Sequence, residues 1–153
     1  TSTAILYPPY AVLTAALVAA PRARWWALVA AAFAGQMLAG GPVPGALQVA
    51  ATAPANLIRA LVAAALLRRR WPGRPRLDTL ERAVAFVVIA ALVAPAVGAV
   101  VGAGTFVLVG RVARDADGYA RAWSAWFLSS ALTGVTLLPA LLTLWAGARD
   151  WPR

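Results

Sequence analysis

Long apolar stretches dominate the chain and divide it into charge-free blocks. Residues 1–21, 25–58, 83–110 and 122–148 contain no Asp, Glu, Lys or Arg. About 18 consecutive apolar residues are enough for one helix to cross a bilayer. The pattern therefore predicts an all-α fold, a polytopic bundle of transmembrane helices.

Prolines, glycines and arginines divide the apolar blocks into five segments. These are Ile5–Ala20, Trp25–Gly40, Ala46–Leu67, Glu81–Val109 and Tyr119–Ala146. At a rise of about 1.5 Å per residue, the first two are short for a hydrocarbon core of about 30 Å, so we expect them to thin the bilayer or pack inside the bundle. We expect five helices, or six if the fourth segment breaks.

The fourth segment contains residues that favour a bend or a break. Pro95 lacks a backbone N–H and crowds the preceding turn, and Gly98 and Gly102 follow it closely. These three residues are the candidate conformational hinge.

The arginines predict how the chain is oriented. All fourteen basic residues are Arg; ten fall in the first loop, the third loop and the C-terminal tail, and three in the fourth loop. Positive residues accumulate in short cytoplasmic loops. We therefore expect the N-terminus to lie outside and the C-terminus in the cytoplasm.

One arginine cluster in the third loop is expected to contact anionic lipid headgroups. Its members are Arg68, Arg69, Arg70, Arg74 and Arg76. The alternative, nucleic-acid binding, is disfavoured because the segment is short, contains prolines and is held against the membrane at both ends. We expect the lipid bilayer to be a partner and nucleic acid not to be one.

The composition excludes most catalytic chemistry. The chain has no His, no Cys and no Lys, and its five acidic residues lie between the apolar segments. Imidazole acid–base catalysis, a cysteine nucleophile, thiolate or imidazole metal ligation and a lysine-dependent phosphate loop all lack their residues. We expect no enzyme, no cofactor and no metal site.

Polar side chains inside the apolar segments are the candidates for sensing a ligand or signal, because each needs a partner there. They are Asn56, Arg59, Gln36, Trp126 and Ser130. Arg59 stands out, since a central Arg costs about 2.5–3.5 kcal/mol on insertion scales and no apolar segment contains an acid to pair with it. Its head could hold an anionic or carbonyl-bearing ligand, or contact carbonyls freed at a proline. Interhelical hydrogen bonding is the simpler alternative.

Several short motifs occur in an order that is typical of a known family. They are Tyr7-Pro-Pro-Tyr10, Asn56-Leu-Ile-Arg59, Leu77-Asp-Thr-Leu-Glu-Arg82, Ala94-Pro-Ala-Val-Gly-Ala99 and Trp123-Ser-Ala-Trp126. Together they resemble the first type of bacterial membrane-associated sensor domain, of the MASE family. The resemblance implies a multi-pass membrane input module of the kind found in histidine kinases of two-component systems and in diguanylate cyclases.

The chain departs from the family pattern at two positions. Arg59 stands where the pattern suggests an acid three residues after Asn56, and Ser129-Ser130 stands where it suggests Gly-Asp. Two acids are therefore absent and one cation is gained.

The sequence thus predicts a single integral-membrane sensor domain over residues 1–153, a fragment that lacks a preceding helix and any cytoplasmic output domain. We expect it to relay a stimulus to a cytoplasmic output domain or protein, and the sequence leaves a homodimer open. The alternatives are a small transport component, such as the substrate-capturing subunit of a vitamin-type importer, and a structural membrane subunit without a ligand.

Overall fold

The structure, a computed structural model, describes residues 7–40, 43–71 and 78–150, of which 43–47 and 145–150 are described as helix backbone only. This part of the chain is helical and has no strand. Its elements are α1 (Pro8–Ala19), a 3₁₀ turn (Arg22–Arg24), α2 (Trp25–Ala39), α3 (Val43–Arg70), α4 (Leu80–Val87), a π-helical turn (Val88–Val93), α5 (Ala94–Leu108) and α6 (Ala116–Asp150). The all-α prediction is confirmed.

Three of the predicted segments form helices long and apolar enough to cross a membrane. They are Gln48–Arg70, Leu80–Leu108 and Ala116–Leu144. Helices α1 and α2 have 12 and 15 residues, which correspond to about 18 and 22 Å. The expectation that the first two segments are short is confirmed.

The two short helices occupy different positions in the bundle. Helix α1 packs against α3 and α6 and buries Tyr10, Leu13 and Leu17. Helix α2 contacts α1 and α3 but contains no buried residue, and its Leu38 is 85% exposed. Helix α1 therefore lies inside the bundle, and α2 lies at its periphery.

Small side chains bring the central helices close together. Ala60, Ala63 and Ala64 of α3 are fully buried. They share the core with Ala90 of the π turn and Ala94 of α5. In a membrane, where apolar surface gains little from leaving lipid, such small residues allow the van der Waals contact that holds helices together.

The helix formed by the fourth segment, Leu80–Leu108, stays continuous through Pro95 because a π turn precedes the proline. In this turn the N–H of Ala94 donates to the carbonyl of Ile89, five residues earlier. With the same five-residue spacing, the carbonyl of Ala90 would accept from the N–H of residue 95, but Pro95 has no N–H. The hydroxyl of Tyr10 supplies that donor, with Oη 2.7 Å from the Ala90 oxygen.

The predicted irregularity at Pro95 is therefore a change of helical pitch and not a break. The helix runs without interruption from Leu80 to Leu108, so the six-helix alternative is not what the described chain adopts. Pro95 removes one backbone hydrogen bond from the helix, and the hydroxyl of Tyr10 donates in its place to the carbonyl of Ala90.

The bundle has two electrostatically different ends. Arg68 donates a hydrogen bond to the carbonyl of Ala20, and Arg70 forms an ion pair of 2.6 Å with Glu81. The first and third loops therefore meet at one end, called here the arginine-rich end. At the opposite end, Arg111 donates to Gln48 Oε1 over 2.6 Å.

Candidate functional site

A buried arginine occupies the centre of the bundle. Arg59 of α3 is only 2% exposed. Its Nη1 donates to Ser130 Oγ on α6, and its Nη2 donates to Asn56 Oδ1 one turn earlier on α3, at 3.1 Å. Its Nε–H is buried and has no hydrogen-bond acceptor among the residues that the structure describes.

Two tyrosine rings from the start of the first helical region enclose the same guanidinium. The Arg59 Cζ lies 4.4 Å from the ring centre of Tyr10 and 5.3 Å from that of Tyr7. The negative faces of these rings attract the cation, by about 2 kcal/mol for a desolvated contact. Both residues are part of the site, although the sequence marked them only as part of a family motif.

The partners of Arg59 are all neutral. In the part of the chain that the structure describes, the ion pairs are Arg70 with Glu81 and Arg82 with Asp78, and neither involves Arg59. Arginine stays protonated in proteins. Removing such a charge from water costs several kcal/mol, and neutral acceptors and ring faces offset only part of that cost.

Asn56 connects Arg59 to α2. Its Nδ2 donates to Tyr7 Oη at 2.9 Å and to Gln36 Oε1 at 3.1 Å. Tyr7 Oη in turn donates to Gln36 Oε1 at 2.9 Å. Side chains from α2, α3, α6 and the start of α1 therefore form one hydrogen-bonded network, which we call the Arg59 network: Tyr7, Gln36, Asn56, Arg59 and Ser130.

Protein groups also satisfy both ends of α1. The N–H of Tyr7 donates to Thr133 Oγ1 on α6 at 2.9 Å. At the other end, Trp25 Nε1 donates to the carbonyl of Leu17 at 2.9 Å, and Arg68 reaches the carbonyl of Ala20. Helix ends leave unpaired backbone groups that need partners, and here a hydroxyl, an indole and a guanidinium supply them.

A cavity of about 410 Å³ adjoins the Arg59 network. This volume lies within the range of about 300–1,000 Å³ that is typical of small-molecule sites. Its wall is mainly apolar, and Trp126 and Phe106 meet there edge to face, with ring centres 5.6 Å apart. Its charged lining residues are Arg59, which is buried, and Arg121, which is exposed.

The structure thus brings together all five residues that the sequence singled out for sensing. Gln36, Asn56, Arg59 and Ser130 are hydrogen-bonded in series, and Trp126 lines the adjoining cavity and accepts a bond from Ser130 at its carbonyl. Their role in sensing stays a prediction.

The hinge candidates lie against the same site. A Cβ on Gly98 would come within 2.8 Å of Arg59 Cβ, and one on Gly102 within 2.6 Å of the Trp126 indole. These glycines therefore let α5 approach Arg59 and Trp126 closely, while Pro95 follows the π turn. Whether the three act as a hinge stays a prediction.

The predicted lipid cluster is described only in part. Arg69 and Arg70 are exposed at the arginine-rich end, and Arg68 is half-buried because it contacts Ala20. Arg74 and Arg76 lie outside the described residues. Contact of the cluster with anionic lipid stays a prediction.

Apolar helices around a buried polar network and a ligand-sized cavity define a multi-pass membrane protein with an internal site. The model of the family MASE1 matches residues 1–153, the whole chain, so the chain belongs to the MASE1 family of membrane-associated sensor domains. The resemblance seen in the motifs is confirmed. A domain of this family is a sensory input domain and is not itself catalytic. Comparison with curated proteins and with solved structures finds no match.

Proposed function

We propose that this chain is the transmembrane input domain of a bacterial signal-transduction protein and relays a stimulus from the Arg59 network to a cytoplasmic output domain or partner. The observation that carries the proposal is the position of Arg59. This one buried cation contacts α1, α3 and α6 directly and α2 through Asn56. A change at its head group therefore alters the packing of four helices at once.

One route from the site to the arginine-rich end runs through Tyr10. The Tyr10 ring contacts the Arg59 guanidinium, and its hydroxyl holds the carbonyl of Ala90 in the π turn. Helix α4 continues from that turn to Leu80, next to the ion pair between Glu81 and Arg70. A shift of Arg59 can thus reach the junction of α3 and α4.

A second route runs along α6. Ser130 accepts the Arg59 hydrogen bond in the middle of this helix, which continues to Asp150. Because α5 and α6 are antiparallel neighbours, the C-terminus of α6 points to the arginine-rich end. By the positive-inside rule this end faces the cytoplasm of a bacterial inner-membrane protein, where an output domain would receive the signal.

A stimulus acts here by favouring one packing of the bundle over another. A ligand shifts such an equilibrium only through its different affinity for the two states. Arg59 provides that difference, because neutral acceptors leave its charge incompletely compensated and any new acceptor competes with Ser130 and Asn56. The transport alternative would use the same cavity, but membership of a sensor family favours the input domain.

The test is a fusion of the full chain to a kinase or diguanylate cyclase output domain. Asn56→Ala removes the residue that joins α2 to Arg59, and we expect output activity to change several-fold at equal membrane abundance. Thr52→Ala is the matched control, because Thr52 lies one turn away on α3 and bonds only carbonyls of its own helix. Unchanged output from a normally inserted Asn56→Ala variant would contradict the proposal.

A further inference from the structure

The cavity beside Arg59 has a positive charge that the described residues do not balance. Arg59 and Arg121 both line it, and no Asp or Glu does so in the part of the chain that is described. The acceptors of the Arg59 guanidinium are a hydroxyl and an amide oxygen. The site is therefore built to attract an anion.

The free donor of Arg59 also indicates what kind of anion fits. A guanidinium presents its Nε–H and one Nη–H along the same edge, and this edge matches the two oxygens of a carboxylate. In the described part of the chain, no group accepts a hydrogen bond from the Arg59 Nε–H. The described partners of Arg59 bind its two terminal nitrogens and not this donor.

The wall of the cavity indicates an apolar body for the ligand. Trp126 and Phe106 form an aromatic surface, and Ala122 and Ala125 continue the apolar lining toward Arg121. Arg121 and Ser130 lie nine positions apart on α6, which corresponds to about 13.5 Å along the helix. Arg121 is exposed and Ser130 is buried, so the cavity extends from a charged mouth to Arg59 in the interior.

We propose that this cavity binds an organic carboxylate with an apolar body, with its carboxylate at Arg59 and its body against Trp126 and Phe106. The inference rests on the proposed sensory function and names the class of its ligand. Arg121 attracts the anion at the mouth of the cavity, which lies toward the end of the bundle opposite the arginine-rich end. The same chemistry occurs in a small aromatic acid from the aqueous phase and in a fatty acid from the bilayer.

The first experiment compares three probes on the purified full chain in a non-ionic detergent. Benzoate represents the aqueous acid, decanoate the lipid-derived acid, and benzamide is the uncharged analogue of benzoate. A ligand that binds only the folded state raises the midpoint of thermal unfolding as its concentration increases. We expect benzoate or decanoate to raise the midpoint of thermal unfolding and benzamide to leave it unchanged. The acid that raises the midpoint more at equal concentration identifies the source of the ligand.

The second experiment assigns the binding to Arg59. We expect Arg59→Gln to weaken acid binding at least tenfold and Arg121→Gln to weaken it several-fold, with less dependence on salt. Arg114→Gln is the control, because Arg114 is an exposed arginine just before α6 that does not line the cavity. It should bind as the wild type does.

Several results would overturn the proposal: no stabilisation by either acid, equal stabilisation by benzamide and benzoate, or full acid binding by Arg59→Gln. If Arg59→Gln does not fold, the comparison of probes on the wild type and the effect of Arg121→Gln still test whether the cavity binds an acid.

Binding is measured without an output domain. Acid binding without any effect on a fused output domain would therefore contradict the sensory function alone, and a signalling response of Asn56→Ala without acid binding would contradict the ligand class alone.

Discussion

Arg59 and Ser130 are the two residues whose contact links the middle of α3 to the middle of α6. The motif resemblance predicts an acid at each of these positions, and in the folded chain Arg59 donates a hydrogen bond to Ser130. With an acid at each position, two like charges would face each other at this point, which is unfavourable. Arg with Ser makes a donor–acceptor pair instead. If the predicted pattern holds for the family, the two substitutions are physically linked.

Loss of the Ser130 hydroxyl should destabilise the bundle. Ser130→Ala removes an acceptor of a buried charged donor, which costs about 1–3 kcal/mol. The matched control is Ser124→Ala, because Ser124 is exposed and bonds only the carbonyl of Arg121 on its own helix. We expect it to change stability by less than about 0.5 kcal/mol. Unfolding in mixed detergent micelles measures both variants, and equal effects would show that the bond to Arg59 contributes nothing.

The π turn shows how one helix can stabilise a defect in another. The hydroxyl of Tyr10 on α1 binds the carbonyl of Ala90, whose i+5 partner, Pro95, has no N–H. On α6, Gly134 faces the same carbonyl, and a Cβ there would overlap the Ala90 oxygen. The turn is therefore held between α1 and α6.

Removal of the Tyr10 hydroxyl should loosen the π turn. Tyr10→Phe deletes one buried hydrogen bond, worth about 1 kcal/mol. We expect amide hydrogen exchange in Val88–Val93 to become about fivefold faster. Tyr119→Phe is the control, because its hydroxyl lies 3.3 Å from the carbonyl of Val100 and is exposed. Exchange in Val88–Val93 that is unchanged by Tyr10→Phe would argue against a supporting role for this hydroxyl.

The contact of α6 with the π turn should tolerate no side chain at residue 134. Gly134→Ala forces the two helix backbones apart, and overpacking of this kind costs about 1–3 kcal/mol. Gly104→Ala places its methyl group in open space on α5, so it should be neutral or stabilise by up to about 1 kcal/mol. Thermal unfolding of both variants in detergent is the measurement. A stable Gly134→Ala variant would mean that the helices are not in contact here.

At the scale of the whole molecule, the sequence predicts the helices well because charge-free length is a local property. The five segments, the shortness of the first two and the gathering of Asn56 with Arg59 on one face all follow from spacing. Contacts between distant segments do not. Arg59 and Ser130 are 71 residues apart, and Tyr10 and Ala90 are 80 apart. Packing between helices that are distant in the chain, such as α3 with α5 and α1 with α6, brings these pairs together.

The orientation in the membrane can be tested without background labelling, since the chain has no cysteine. Ala23 in the arginine-rich first loop and Ala113 in the fourth loop are both exposed. We expect a membrane-impermeant maleimide to label Ala113→Cys in intact cells and Ala23→Cys only after lysis. The reverse pattern would place the arginine-rich end outside and would contradict signalling to the cytoplasm.

The enclosed position of α1 has a consequence for biogenesis. This helix is about 18 Å long, and its end groups are satisfied by Thr133, Trp25 and Arg68. Tyr7 and Thr133 are 126 residues apart, so the ribosome has made almost all of this sequence before this contact can form. Helix α1 therefore completes its contacts only after the later helices of this sequence are made, and the Arg59 network is complete only after α6 has entered the bilayer.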